Sequence, residues 1–198
     1  MPIYRYSYLI SDVFLLAIWL ILFALRKDVR KEMIIISIIF AVIGPIVEFV
    51  YVVDWWHPLT ITGTTVGFED FLFGFTVAGI SSSIYEEIFK KKIKLRKSRK
   101  IIIKKENINI FSILALLSVM FFGLFYLLKI NSFYTSTIVF LVGIIITLNK
   151  RPDLFLDSLA SGVLVFLVAL IGFIFSEAVS PGFIQNFWFT KLLSGIYI

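Results

Sequence analysis

Six apolar stretches of about twenty residues each, separated by polar loops, constrain this chain more than any other feature. They run from Tyr8 to Leu25, Met33 to Val53, Phe71 to Phe89, Ile108 to Leu128, Phe133 to Leu148 and Leu154 to Phe175. An α-helix rises about 1.5 Å per residue, so roughly 20 apolar residues cross a hydrocarbon core of about 30 Å. Lipid offers no partner to backbone N–H and C=O groups, which makes the helix the form such runs adopt. The predicted fold class is an all-α integral membrane protein with six transmembrane helices. The fifth stretch is the shortest, and the third is interrupted by Ser81, Ser82 and Ser83. The first carries Asp12, follows only Arg5 and lacks an A-x-A site, so it reads as a retained helix and not as a signal peptide.

Composition agrees, with 60% hydrophobic and only 16% charged residues against about 25% charged in a soluble domain. The chain has no Cys, which excludes disulfides, zinc–thiolate sites, iron–sulfur clusters and cysteine nucleophiles.

The bases set an orientation. Arg26, Lys27, Arg30 and Lys31 follow the first stretch, ten Lys and Arg lie between Lys90 and Lys105, and Lys150 and Arg151 follow the fifth. Only Arg5, Lys129 and Lys191 fall on the other side. Basic residues are retained on the cytoplasmic side of short loops, so the expected topology is multi-pass in the cell membrane with the N-terminus outside. The run KKKIKLRKSRK from Lys90 to Lys100 then reads as an anchor against anionic headgroups, with membrane lipid as its partner and no nucleic acid.

The acids are distributed differently. Asp12, Glu48, Asp54, Glu69, Asp70 and Glu177 fall at the outer ends of the spans. A carboxyl inside a membrane segment costs a few kcal/mol or more and by default marks a functional site. Glu48 is the clearest case. Pro45, three residues earlier, removes a backbone donor and leaves the Ala41 carbonyl without its helical partner, which suggests a kinked helix beside a polar pocket.

The segment DWWHPLTITGTTVGFED, Asp54 to Asp70, has no Lys or Arg but holds two Trp, the single His and three carboxylates. Trp55 and Trp56 also suit interfacial anchors, and His57 a surface position. Glu69 and Asp70 open the third helix, where acids also cap helix N-termini. Asp70, Gly74, Ala78 and Ser82 are spaced four apart and form one stripe, suited to tight helix packing or to a groove for a flat apolar chain.

A weak internal repeat relates helices one to three with helices five and six. Trp56 precedes Gly63 by seven residues, as Trp188 precedes Gly195. The expected organisation is a three-helix repeat over 1–89, a basic cytoplasmic linker over 90–107, a linking helix over 108–130 and an incomplete second repeat over 131–198. The counterpart of Glu69 would fall near position 201, so a seventh helix is expected to be missing by C-terminal truncation.

The order Asp54, Trp56, Gly63 and then Gly67-Phe68-Glu69-Asp70-Phe71-Leu72-Phe73 resembles the lycopene cyclase domain of the heterodimeric and fused membrane type. That family carries an Asp, a Trp and a Gly ahead of a Pro-x-Glu-Glu motif followed by Leu-Phe-Phe. Here Gly67 stands in place of the Pro and Asp70 in place of the second Glu. The resemblance covers Pro45 to Glu86 most clearly and Asn149 to Gly195 more faintly, and it implies non-redox cyclisation of a carotenoid or other long isoprenoid by an isomerase. Such a reaction delivers a proton to a terminal C=C, holds a carbocation while the ring closes, and removes a different proton. Glu48, Asp54, Glu69 and Asp70 are the candidate acids and bases. Trp55, Trp56, Phe68, Phe71 and Phe73 supply rings for the cation, and Gly74 and Ala78 a groove for the substrate.

No metal and no cofactor are expected. The flavin-dependent kind of cyclase would need a G-x-G-x-x-G dinucleotide fold, and the Asp-rich repeats of Mg²⁺-dependent prenyltransferases are missing. A homo- or hetero-oligomer is compatible with the sequence. The competing reading is a non-enzymatic membrane protein, either a small transporter with a carboxylate inside the bilayer or an assembly subunit.

Overall fold

The computed structural model describes residues 2–90 and 110–187. The bulk of the basic linker, together with Trp188, Lys191 and Gly195, lies outside the described residues. A 3₁₀ turn over Pro2–Tyr6 leads into α1 (Ser7–Leu25), followed by α2 (Arg30–Tyr51), α3 (Phe68–Ser81) and the short α4 (Ile84–Ile88). Next come α5 (Ile110–Tyr126), α6 (Ser132–Lys150), α7 (Phe155–Val179) and a final turn, α8 (Phe183–Phe187). No strand occurs among the described residues, and the fold is all-α as expected.

Among the described residues four helices are long and apolar enough to cross a membrane, over Tyr4–Leu25, Arg30–Tyr51, Ser132–Lys150 and Pro152–Val179. Large apolar side chains such as Phe49, Val119, Leu156 and Phe166 lie more than half exposed. A soluble monomer does not carry such a surface, whereas lipid would cover it, which is consistent with a membrane protein. The expected third span is divided. Ser81 and Ser82 donate to the carbonyls of Ala78 and Gly79 at 2.7 and 2.8 Å, and Ser83 donates to Gly79 at 3.2 Å. Hydroxyls that bond back to their own helix compete with its ladder, and the chain turns there into α4. At 14 residues α3 is only about 21 Å long.

The bundle is built on α3, which packs along α2 and touches α1 and α7. Gly44 of α2 lies against the Asp70 carbonyl, where a Cβ would approach to 2.9 Å, and Gly74 of α3 lies against the Phe40 carbonyl. The small-residue stripe is thus a close helix contact at Gly74. Trp19 of α1 donates its indole N–H to Ser37 of α2 at 3.0 Å over the backbone of Gly79. Leu15, Trp19, Leu22, Met33, Ile80 and Ile84 form the core there. The hydroxyls of Ser11 and Ser176 pair across α1 and α7. Tyr85 of α4 bonds the Asp157 carboxylate of α7.

The α1–α2 turn is closed by Arg26, whose guanidinium meets both Asp28 oxygens at 2.9 and 2.7 Å. That carboxylate pushes the Arg26 guanidinium above its ordinary range, a bidentate charge-assisted contact.

Candidate active site

Toward the opposite end from that turn, α2 and α3 together line a cavity of about 370 Å³. From α2 come Phe40, Gly44, Val47, Glu48 and Tyr51, and from α3 come Asp70, Phe73, Gly74, Val77 and Ala78. Trp55 and Trp56 of the following loop, Tyr8 of α1, Phe140 of α6 and Phe173 of α7 close it. The wall is almost wholly hydrocarbon and aromatic, and it holds two carboxyl groups.

Those two carboxyls are held in different ways. Asp70 sits at the third residue of α3, where orphan helix N–H groups need acceptors. Its Oδ2 accepts from the Gly67 N–H at 2.7 Å and its Oδ1 from the Tyr8 hydroxyl at 3.1 Å. Glu48 is 5% exposed, and its Oε1 has no hydrogen-bond partner among the described residues. The two lie within electrostatic reach of each other. One acid is therefore framed by donors, and the other points bare into an apolar space.

Aromatic rings frame both. Tyr8 meets Trp56 edge to face at 5.7 Å, and Trp56 meets Phe173 and Phe183 in the same way at 6.1 and 5.8 Å. Tyr51 packs on Trp55 at 5.4 Å and exchanges a hydrogen bond with Ser136 of α6 at 2.9 Å.

Of the residues predicted from sequence, the fold brings Glu48, Asp70, Trp55, Trp56, Phe73, Gly74 and Ala78 to one cavity and leaves the others outside its lining. Glu69 is fully buried beneath the loop, and its Oε1 accepts from the Ile61 N–H at 2.6 Å. Asp54 caps α6 from a distance: it accepts from the Ser132 N–H at 2.9 Å and from the Ser132 hydroxyl. Phe68 and Phe71 are 64% and 46% exposed and face away. His57 donates its backbone N–H to Phe187 of α8 at 2.9 Å. Among the described residues no three His, Asp or Glu side chains converge as a metal ion would require.

The glycine that replaces the expected proline has a local reason. Gly67 adopts φ −115°, far from the proline value near −65°, and a Cβ there would fall 2.6 Å from the Thr60 side chain. Glycine lets the loop close over the start of α3.

Tyr8, Tyr51, Phe140 and Phe173 were not singled out from the sequence. Tyr8 alone carried a signal, since it lies one helical turn before Asp12 and so shares its face.

A family model described as lycopene cyclase matches residues 5–88 and 131–198. The chain belongs to the lycopene cyclase family. Comparison with curated proteins and with solved structures gave no match. Every residue lining the cavity falls inside the two matched segments, whereas α5 falls between them. Family membership supports a lycopene-cyclase-like function and a place in carotenoid biosynthesis.

Proposed function

We propose that this chain is a multi-pass enzyme of the cell membrane that closes a ring at the end of a long polyene by acid–base isomerisation without redox change. The observation that carries this reading is the pair of carboxyls, one bare and one framed by donors, in a single aromatic cavity. Glu48 serves as the acid and delivers a proton to the terminal C=C. The electrons of a second C=C form the ring C–C bond, and the cation that remains on the ring is faced by Trp55, Trp56 and Phe73. Each ring that faces a desolvated cation contributes about 0.5–2 kcal/mol. Asp70 then takes a proton from the carbon next to the cation, and the C–H electrons become the ring double bond.

One proton enters and one leaves, so the product is an isomer and no cofactor or metal is drawn upon. The hydrogen bonds from Tyr8 and Gly67 suit Asp70 to hold negative charge, and the apolar surroundings suit Glu48 to the neutral acid. Asp54 and Glu69 support the chemistry by fixing the start of α6 and the loop above α3.

Phe40 and Phe140 line the cavity yet are 39% and 62% exposed, which supports lateral access for a polyene lying in the bilayer. The cavity volume suits one end of such a substrate, with the rest among lipid. In this reading the loop from Asp54 to Gly67 is outside with the N-terminus, the basic loops are cytoplasmic, and residues 1–89 and 131–198 are the two halves of the repeat. Homo- or hetero-oligomerisation is part of the same proposal.

Expression in a lycopene-accumulating host, followed by pigment chromatography, tests it. Monocyclic or bicyclic product from the wild-type chain, and none from Glu48→Gln, is the expected result. Unchanged lycopene with the wild-type chain correctly inserted would favour a transporter or an assembly subunit.

A further inference from the structure

The two helices that build the cavity wall do so with the same spacing. On α3 the lining residues are Asp70, Phe73, Gly74, Val77, Ala78 and Ser81, and on α2 they are Phe40, Ile43, Gly44, Val47, Glu48 and Tyr51. In both, the intervals from the first residue are three, four, seven, eight and eleven, which is one continuous helix face. At about 1.5 Å of rise per residue, the α3 wall alone extends roughly 16 Å from Asp70 to Ser81. Gly44 lies against the Asp70 carbonyl and Gly74 against that of Phe40, so the helices run antiparallel and their glycines form a narrow floor. The cavity is a slot drawn out along the helices.

Its two ends differ. Glu48 and Asp70 stand toward the outer end, where the buried Oε1 of Glu48 has no partner among the described residues. Between Asp70 and Ser81 every lining residue of α3 is apolar. At Ser81 the wall stops. The Ser81 hydroxyl donates to the Ala78 carbonyl at 2.7 Å, Ser161 of α7 donates to the Ser81 carbonyl at 3.1 Å, and the chain turns into α4. A polar group carried along the middle of the slot would find no partner there. A rigid, straight chain enters such a slot without losing torsional freedom, which a flexible chain must give up.

We propose that the slot reads its substrate by length and stiffness: about 16 Å of straight, unsubstituted conjugated chain beside the reacting end lies along α3, and Ser81 is the specificity-determining residue at the inner end. The chain slips in sideways past Phe40 and Phe140, and what extends beyond Ser81 lies among lipid. The substrate class is thus an acyclic polyene that is rigid and free of hydroxyl groups over that length. The inference rests on the cyclase reading of the carboxyl pair, which decides which end of the slot receives the reacting carbons.

The purified chain in lipid vesicles with lycopene gives two readouts. An achiral polyene held in a protein slot acquires circular dichroism in its visible band, which the same polyene free in lipid lacks, and product formation gives KM and kcat. Ser81→Phe, which fills the inner end, should weaken the induced signal and raise KM roughly tenfold with kcat unchanged, as loss of burial for two chain carbons would. Ala78→Leu, three residues nearer the acids, should act in the same direction and serves if Ser81→Phe does not insert. A lycopene analogue saturated near both ends, and so flexible within the slot, should compete with lycopene several-fold more weakly. An induced signal and a KM that neither variant alters overturn the proposal, and so does equal competition by the saturated analogue. A chain that gives the induced signal, sensitive to Ser81→Phe, but closes no ring would sink the cyclase reading and keep the slot. Ring closure with KM unmoved in both variants would do the reverse.

Discussion

Glu48→Gln and Asp70→Asn separate catalysis from support, because the structure treats the two acids so differently. In Glu48→Gln the buried Oε1 loses no hydrogen bond, since it has no partner among the described residues. Amide and carboxyl have nearly the same shape, so the unfolding midpoint in detergent should match wild type. Turnover should not. Loss of a positioned proton donor costs about 10²–10⁴-fold, which is roughly 2.7–5.4 kcal/mol of barrier. In Asp70→Asn, the Gly67 N–H at 2.7 Å and the Tyr8 O–H at 3.1 Å both need acceptors, while an amide offers one oxygen and turns its NH₂ toward the other donor. That variant should lose turnover and also about 1–3 kcal/mol of stability, the usual penalty for a buried donor left unmatched. The assay is paired: product formed per minute in vesicles loaded with substrate, and denaturant or thermal unfolding of the same preparation. Glu48→Gln with wild-type turnover would refute the assignment of the acid. Asp70→Asn with wild-type stability would refute the account of its two donors.

The remaining expectations concern the frame. Gly74→Ala should drive a methyl into the Phe40 carbonyl, separate α2 from α3 and cost about 1–3 kcal/mol in unfolding measurements. Ala78→Leu adds bulk to the cavity wall and should raise KM for the polyene with the unfolding midpoint unchanged, whereas a lowered midpoint would place that side chain chiefly in helix packing. Asp54→Asn should weaken the cap on α6 by about 1 kcal/mol and leave the pH dependence of turnover unaltered. Single cysteines at the exposed positions Thr64 and Lys27 test topology with an impermeant thiol reagent: only position 64 should label in intact cells, and labelling of position 27 would invert the orientation.

The helices were legible because an apolar run of this length has few other forms to take, and the sequence-based bounds of α1, α2, α6 and α7 fall within a few residues of those found. The break between α3 and α4 was also written locally, in three consecutive serines whose hydroxyls reach back to carbonyls. The acids and rings of the site were legible only along one helix at a time. Gly74 and Ala78 follow Asp70 at intervals of four and share its face. Phe71 follows it by one residue, about 100° around the helix, and looks outward. Neighbours in sequence are not neighbours on a helix, and so the aromatic flank of the motif divides between Phe73, inside, and Phe68 and Phe71, outside. What joins Asp54 to Ser132, or Tyr8 to Asp70, is tertiary. Partners 78 and 62 residues apart leave no periodic trace in a single sequence.

A buried carboxyl in a membrane helix is expensive wherever it stands, so its presence alone does not say what it does. Partnership does. Asp54 spends its oxygens on the start of α6, and Glu69 spends one on the Ile61 N–H; removing either would leave donors unmatched in the frame. Asp70 is intermediate, because the bonds that anchor it also make it a stable resting place for negative charge in the cavity. Glu48 keeps a buried oxygen with no partner among the described residues and lines the cavity, and so stability gives no reason to retain it. Replacing it by a hydrocarbon side chain of similar volume should hold or raise stability, since burial of an unpartnered carboxyl costs more than burial of carbon. If Glu48→Leu is as stable as wild type while turnover falls, the acid is kept for proton chemistry. A clear loss of stability would assign it to packing.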